Sequence, residues 1–209
     1  CVDRDVQSML DRCARWAGPK FVLIDGGQEA KTLLSEMRGF FPLRYQRHGQ
    51  AQTFFSVLSV AAVQPGFTYL TLLEDDVVLA KNALDYIATT RIDDDLAFIS
   101  WFSVGTCVVP RVPPVLLCEP ARDYMFNQAI TFPARTVHEL LESQALKEWN
   151  EPHGADRIYA RVFPERSVAV HYPNLVQHVG GAESLVGNNA HGLRTSPTFP
   201  GEDFDALKL

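Results

Sequence analysis

No run of about eighteen apolar residues occurs in the sequence, so no stretch of it reads as a membrane-crossing helix. The chain also lacks a basic stripe. Lys and Arg total 19 against 25 Asp and Glu, a formal charge of −6, and no nucleic-acid partner is expected. A small anionic ligand remains compatible with that balance, because a metal ion and a few cationic side chains supply positive charge locally. The four cysteines, Cys1, Cys13, Cys107 and Cys118, have no paired C-x-x-C spacing, which argues against a zinc site. Cys107 and Cys118 flank Pro110, Pro113 and Pro114 at what reads as a hairpin tip, and a bridge and free thiols are both open there. Internal repeats and low-complexity tracts are absent as well.

What is present is an ordinary globular composition over 209 residues, 46% hydrophobic and 21% charged. A chain of this size buries about 70% of its unfolded surface and needs no staple. One domain over residues 1–209 is expected, with 180–209 as an active-site loop or tail. The sequence opens on Cys1 rather than Met, which leaves an upstream anchor or strand open. Cytoplasm, or the Golgi lumen if an anchor has been trimmed, are the settings considered.

The order of elements points to an α/β fold. Val6, Met9, Leu10, Cys13 and Trp16 recur near a helical period, and Gly18-Pro19 breaks it. Phe21 to Ile24 reads as a buried strand ending in Asp25-Gly26-Gly27. Residues 28–38 look helical, 39–49 a loop or extended edge, and Ala51 to Val63 a helix closed by Pro65-Gly66. A strand over Tyr69–Leu73, a helix over Ala80–Thr90 and a strand over Leu96–Trp101 follow. Phe126–Phe132 is a further strand, Arg135–Lys147 a helix, and Val168–His171 a short strand. Alternation of this kind predicts a Rossmann-like, three-layer α/β/α sandwich with a mainly parallel central sheet. Ligands in such sheets sit at the carboxyl ends of the strands.

The segment Leu70 to Val78 carries the chemistry. An apolar strand ends in Glu74-Asp75-Asp76 and turns apolar again. Adjacent carboxylates at a buried strand end repel one another and resist desolvation unless a cation or donors meet them. Hard oxygen ligands suit Mg²⁺ or Mn²⁺. A solvated acidic turn capping the next helix is the plainer alternative. Asp25 ends another strand at the same side of the sheet, and that coincidence favours a site.

Four features in order complete the pattern: the strand ending in Asp25, Leu73-Glu74-Asp75-Asp76-Val77, Asp156 opening a helix, and Pro173-x-Leu175-x-Gln177-His178-x-Gly180-x-x-x-Ser184. Together, from about residue 20 to 200, they resemble a GT-A glycosyltransferase, most of all the N-acetylglucosaminyltransferase IV group. The resemblance implies a metal-dependent, inverting transfer from a nucleotide sugar, a UDP-sugar first, to a glycan or other hydroxyl acceptor. It implies that Asp76 binds the ion bridging the donor diphosphate, with Glu74 beside it and His178 completing the metal or diphosphate site. Asp75 would face the ribose, Asp25 the nucleobase, and Asp156 would be the base. Ser184 closes the motif and joins the donor-binding set. One departure is that the strand which usually begins such chains has at most Cys1-Val2 as its tail here.

The chemistry of the residues agrees with those roles. The leaving group is a nucleoside diphosphate, whose charge a metal neutralises as the sugar–phosphate bond breaks. A base beside the acceptor hydroxyl takes its proton, and an aspartate at a helix N-terminus stays ionised for that task. Asp156 is equally a plain N-cap by its position after Gly154-Ala155. Asn127-Gln128 touches donor or acceptor, or forms a buried hydrogen-bond pair. Arg194 closes over the diphosphate or is a solvated loop arginine. Trp101 and Phe102 serve the core or a pocket wall, and Asp93-Asp94-Asp95 reads as a solvated turn. His48, His138, His153, His171 and His191 have no comparable setting. Two other functions compete: a nucleotide-sugar or glycan-binding homologue without turnover, and a metal-dependent phosphohydrolase. The second would need acids or histidines arranged for a second metal, and none stands out.

Overall fold

The computed structural model describes residues 7–16, 21–25, 41–45, 50–104, 114–124, 127–149, 156–179 and 194–209. Helix α1 (Gln7–Arg15) is followed by strands β1 (Phe21–Asp25) and β2 (Phe41–Tyr45), which pair in parallel. Helix α2 (Gln50–Ala62) leads to β3 (Tyr69–Leu73), β4 (Val77–Leu79), α3 (Ala83–Thr89) and β5 (Leu96–Ser100). Next come β6 (Val115–Pro120), a 3-10 turn at Ala121–Asp123, β7 (Ala129–Pro133), α4 (Ala134–Glu142) and α5 (Gln144–Lys147). Helix α6 (Asp156–Val162), β8 (Ser167–Tyr172), β9 (Val176–His178) and a 3-10 turn at Ala206–Lys208 complete the order. The expected helix over residues 28–38 and the Pro-rich tip at 110–113 lie outside the described residues.

The main sheet has five strands in the order β3-β7-β5-β8-β6. It is mixed rather than mainly parallel: β5 and β8 run parallel, whereas β3–β7, β5–β7 and β6–β8 are antiparallel. The reason lies between Ser100 and Ala129. Parallel neighbours need a crossover, usually helical, and the described residues there hold only β6 and the short 3-10 turn. With no helical crossover among the described residues there, β7 runs against β5 and sits between it and β3.

Both faces of this sheet are covered, and side-chain alternation assigns the faces. Phe98, Ile130, Phe132, Val168 and Val170 pack with Phe54 and Leu58 of α2, Leu140 of α4 and Tyr159 of α6. Their sequence neighbours Ile99, Ala129 and Ala169 pack with Val77 and Leu79 of β4, Ile87 of α3, Val176 of β9 and Ala206 near the C-terminus. All five residues of β5 are buried, as a central strand covered twice should be.

Two helix boundaries differ from expectation. The helix over Ala80–Thr90 begins at Ala83, because the N–H groups of Ala80 and Lys81 go instead to the carbonyls of Leu175 and Glu202. The single helix over Arg135–Lys147 is two, broken at Ser143, whose extended backbone lets its Oγ accept the Leu146 N–H at 3.2 Å. The aspartates 93–95 form an exposed turn, and the Arg135 guanidinium ties it down through Asp94 Oδ1 and the carbonyls of Asp93 and Leu96. Cys13 and Cys118 are free thiols.

The C-terminal segment is fastened rather than loose. Lys81 N–H donates to Glu202 O and Ala206 N–H to Lys81 O, each at 2.9 Å. Asn82 Nδ2 donates to Asp205 Oδ1 at 2.9 Å. Asn82 itself has φ of 57°, a left-handed conformation that asparagine tolerates better than most residues.

Candidate functional site

A chain of main-chain hydrogen bonds gathers four segments at one end of the sheet. Just past β3, Glu74 N–H donates to Gln128 O at 3.0 Å. One residue on, Trp101 N–H donates to Ala129 O at 3.0 Å, which links the ends of β5 and β7. The Trp101 carbonyl then accepts from Leu175 N–H at 3.1 Å and Val176 N–H at 3.2 Å. The circuit closes where Val77 pairs with His178 and Val179 N–H donates to Asp76 O at 2.8 Å. The acids after β3 and the Gln177-His178 motif, far apart in sequence, are thereby placed side by side.

At that junction His178 Nε2 lies 3.1 Å from Asp76 Oδ2, across 102 positions of sequence. Asp76 is buried, at 8% exposure, and the His178 ring sits 6.3 Å from that of the fully buried Phe102. A buried carboxylate needs a partner that repays its lost hydration, and the imidazole is one.

The pair also has the spacing of two neighbouring metal ligands. Ligands at right angles on an octahedral ion, with bonds of about 2.1 Å, stand roughly 3.0 Å apart. Oxygen with imidazole nitrogen suits Mn²⁺ better than Mg²⁺. Two observations stop short of a complete shell. Among the described residues, no group of three or more His, Cys, Asp or Glu side chains is placed to hold an ion. His178 Nδ1 is buried with no hydrogen-bond partner among them, although metal-binding histidines ordinarily donate from their second nitrogen.

The other expected residues fall as follows. Glu74 and Asp75 are half-buried at the same strand end as Asp76. Asn127 and Gln128 are buried, at 6% and 7% exposure, immediately ahead of β7. Asp25 ends β1 and Asp156 begins α6, but among the described residues β1 pairs with β2 in a two-stranded sheet apart from the five-stranded sheet that carries Glu74–Asp76, so the expected placing of Asp25 on the same sheet as the acids is not found. Arg194 is half-buried, two residues before Ser196. Ser184 lies outside the described residues. Of the whole set, the structure brings Asp76 and His178 into contact.

Residues that sequence reasoning passed over hold this arrangement. Asn174, 3% exposed, accepts from Ser103 N–H at 2.8 Å and Ser196 Oγ at 2.6 Å, and donates to His171 O at 2.7 Å. One amide therefore ties the chain just past β5 and the end of β8 to the C-terminal segment. His171 is a core histidine: Nδ1–H donates to Pro173 O at 2.6 Å, which leaves Nε2 to accept from Tyr86 Oη at 3.1 Å. Burial pushes its pKa down to about 4, against a smaller opposing effect of the Pro173 carbonyl. Trp101, also fully buried, donates from Nε1 to Thr131 Oγ1 at 2.8 Å and belongs to the core.

A cleft of about 620 Å³ lies elsewhere, between α1 and the β4–α3 turn. Arg12, Arg15 and Lys81 line it together with Asp11, Asp85, Glu202 and Asp203, so charges of both signs offset each other there. No helix among the described residues is long and apolar enough to cross a membrane. Neither a family model nor a curated protein sequence matches the chain.

Proposed function

We propose that this protein is a metal-dependent, inverting glycosyltransferase of the GT-A, three-layer type, using a nucleotide-sugar donor, a UDP-sugar first. The observation that carries the reading is the 3.1 Å approach of His178 to Asp76. Two motifs far apart in the sequence, which the same resemblance assigns to the donor diphosphate, meet at one strand end.

In this reading Asp76 and His178 hold Mn²⁺ or Mg²⁺ at the diphosphate, with Glu74 beside them. The bound ion supplies neutralisation of the charge that develops on the departing nucleoside diphosphate. Asp75 orients the ribose, Asp25 the base, and Ser184 and Arg194 the phosphates. Asp156 takes the proton from the acceptor hydroxyl as that oxygen attacks the anomeric carbon. Direct displacement with such a base inverts the anomeric configuration.

A second reading is a homologue that binds nucleotide sugars without turning them over. In its favour, the described residues gather two candidate ligands rather than three. A screen of UDP- and GDP-sugars with Mn²⁺ separates the two. Binding to the folded state raises the melting temperature by linkage in both cases, but only the enzyme slowly hydrolyses or transfers the sugar. No shift with any donor contradicts both.

A further inference from the structure

We infer that the side-chain carbonyl oxygens of Asn127 and Gln128 accept hydrogen bonds from hydroxyls of the donor sugar and so set which sugar is bound. The inference rests on the nucleotide-sugar reading and adds the part of the ligand that these residues recognise.

Both residues are more than nine-tenths buried, yet neither Asn127 Oδ1 nor Gln128 Oε1 has a hydrogen-bond partner among the described residues. Buried acceptors left unmet cost stability, and folded proteins keep few of them. Here two occur in consecutive residues, and the described residues give no reason for them. Their place does. Gln128 continues the register that pairs Leu73 with Ala129, which sets it beside Glu74 at the strand end. The Gln128 carbonyl takes the Glu74 N–H, and the next carbonyl, of Ala129, takes the Trp101 N–H. That is the same sheet end at which Asp76 meets His178.

Acceptors call for donors. A diphosphate near neutral pH offers acceptor oxygens only, so it cannot satisfy either amide oxygen. The uracil ring of a UDP-sugar has a single imide N–H, which meets one at most, and the ribose diol, the other pair of donors in UDP, is assigned to Asp75 in the same reading. A hexose carries several hydroxyls around its ring, each able to donate, and so can meet both acceptors. A site built this way rejects a sugar lacking the hydroxyl strongly, because the buried oxygen is then left unpaired.

The test measures UDP, UDP-glucose and UDP-N-acetylglucosamine by calorimetry with Mn²⁺, on the parent chain and on Gln128→Met and Asn127→Leu. Both substitutions keep approximate volume and remove the acceptor. The parent should bind UDP and at least one of the two UDP-sugars. Each substitution should raise the ratio of that UDP-sugar Kd to the UDP Kd by about threefold to tenfold, the effect of one neutral hydrogen bond, with UDP itself within twofold. The ligand-free variants should melt at the parent temperature or above, since an unmet polar group has been replaced by an apolar one. Equal weakening of UDP and UDP-sugar, an unchanged ratio, or a lower ligand-free melting temperature in both variants would overturn the inference while leaving the donor class intact. A parent chain that binds UDP but neither UDP-sugar overturns this inference alone, and one that binds none of the three overturns the UDP-sugar reading and this inference with it.

Discussion

Gln177 and Ser196 hold each other by two hydrogen bonds: Ser196 N–H donates to Gln177 Oε1 at 2.7 Å, and Gln177 Nε2 donates to Ser196 O at 3.3 Å. The residue after Gln177 is His178. A side chain that pairs like a strand edge therefore fixes the returning C-terminal segment beside the candidate ligand. Thr198 Oγ1 adds to the same clasp by accepting from Asn174 N–H at 3.2 Å.

This clasp should be costly to break. Asn174→Ala leaves the Ser103 N–H, the Ser196 hydroxyl and the His171 carbonyl without their partner, and should destabilise the protein by about 3 kcal/mol or more. Gln177→Ala strands only the Ser196 backbone and should cost about 1–3 kcal/mol. Urea unfolding checks both, and equal effects of the two changes would contradict the central place given to Asn174.

His171 predicts a pH dependence of stability. A histidine in the unfolded chain titrates near 6.5, whereas burial pushes folded His171 down to about 4. Between those values the unfolded state binds a proton that the folded state refuses. Stability should therefore fall as the pH drops from about 6.5 to about 4, by roughly 3 kcal/mol in all, and this group should add no slope above that window. His171→Asn keeps a donor for Pro173 O and removes the titration. Its stability should be flatter with pH by that amount; an unchanged slope would mean that other groups carry the acid sensitivity.

Much of the architecture was legible in the sequence, for identifiable reasons. Phe21–Asp25, Tyr69–Leu73 and Leu96–Ser100 are legible as strands because each is a short apolar run bounded on at least one side by acid, glycine or a polar turn. The break at Ser143 was missed because Val137, Leu140, Leu141 and Leu146 keep a helical period straight across it. Strand β9 was missed because three residues carry no periodicity; it exists by pairing with β4. Sheet direction was misread for a related cause. Alternation of elements implies parallel strands only where helices make the crossovers, and the described residues between β5 and β7 hold only β6 and a 3-10 turn. In the site, charge clustering marked Asp76 and the Gln-His setting marked His178. Asn174 and Ser196 gave no signal, since a buried hydrogen-bond hub is defined by what surrounds it in space.

Asp156 separates catalysis from capping. As the base, Asp156→Asn should leave donor affinity nearly intact and lower turnover by roughly 10²–10⁴-fold. As a cap alone, the same change should cost little, because asparagine caps about as well as aspartate. Transfer assays with a donor and acceptor found by screening, with the anomeric configuration of the product determined by NMR, decide between them. Near-parent turnover, or a product of retained configuration, would remove Asp156 from the mechanism.

The central claim is that Asp76 and His178 jointly hold a divalent ion for the donor diphosphate. Calorimetric titration of UDP into the parent protein, with Mn²⁺ and then with excess chelator, tests it most directly when repeated on Asp76→Asn and His178→Ala. The account predicts binding that requires the ion, is largely abolished in Asp76→Asn and is weakened at least tenfold in His178→Ala, the lower range for losing one metal-site interaction. UDP affinity that is the same in chelator, or the same in both variants as in the parent, would contradict it.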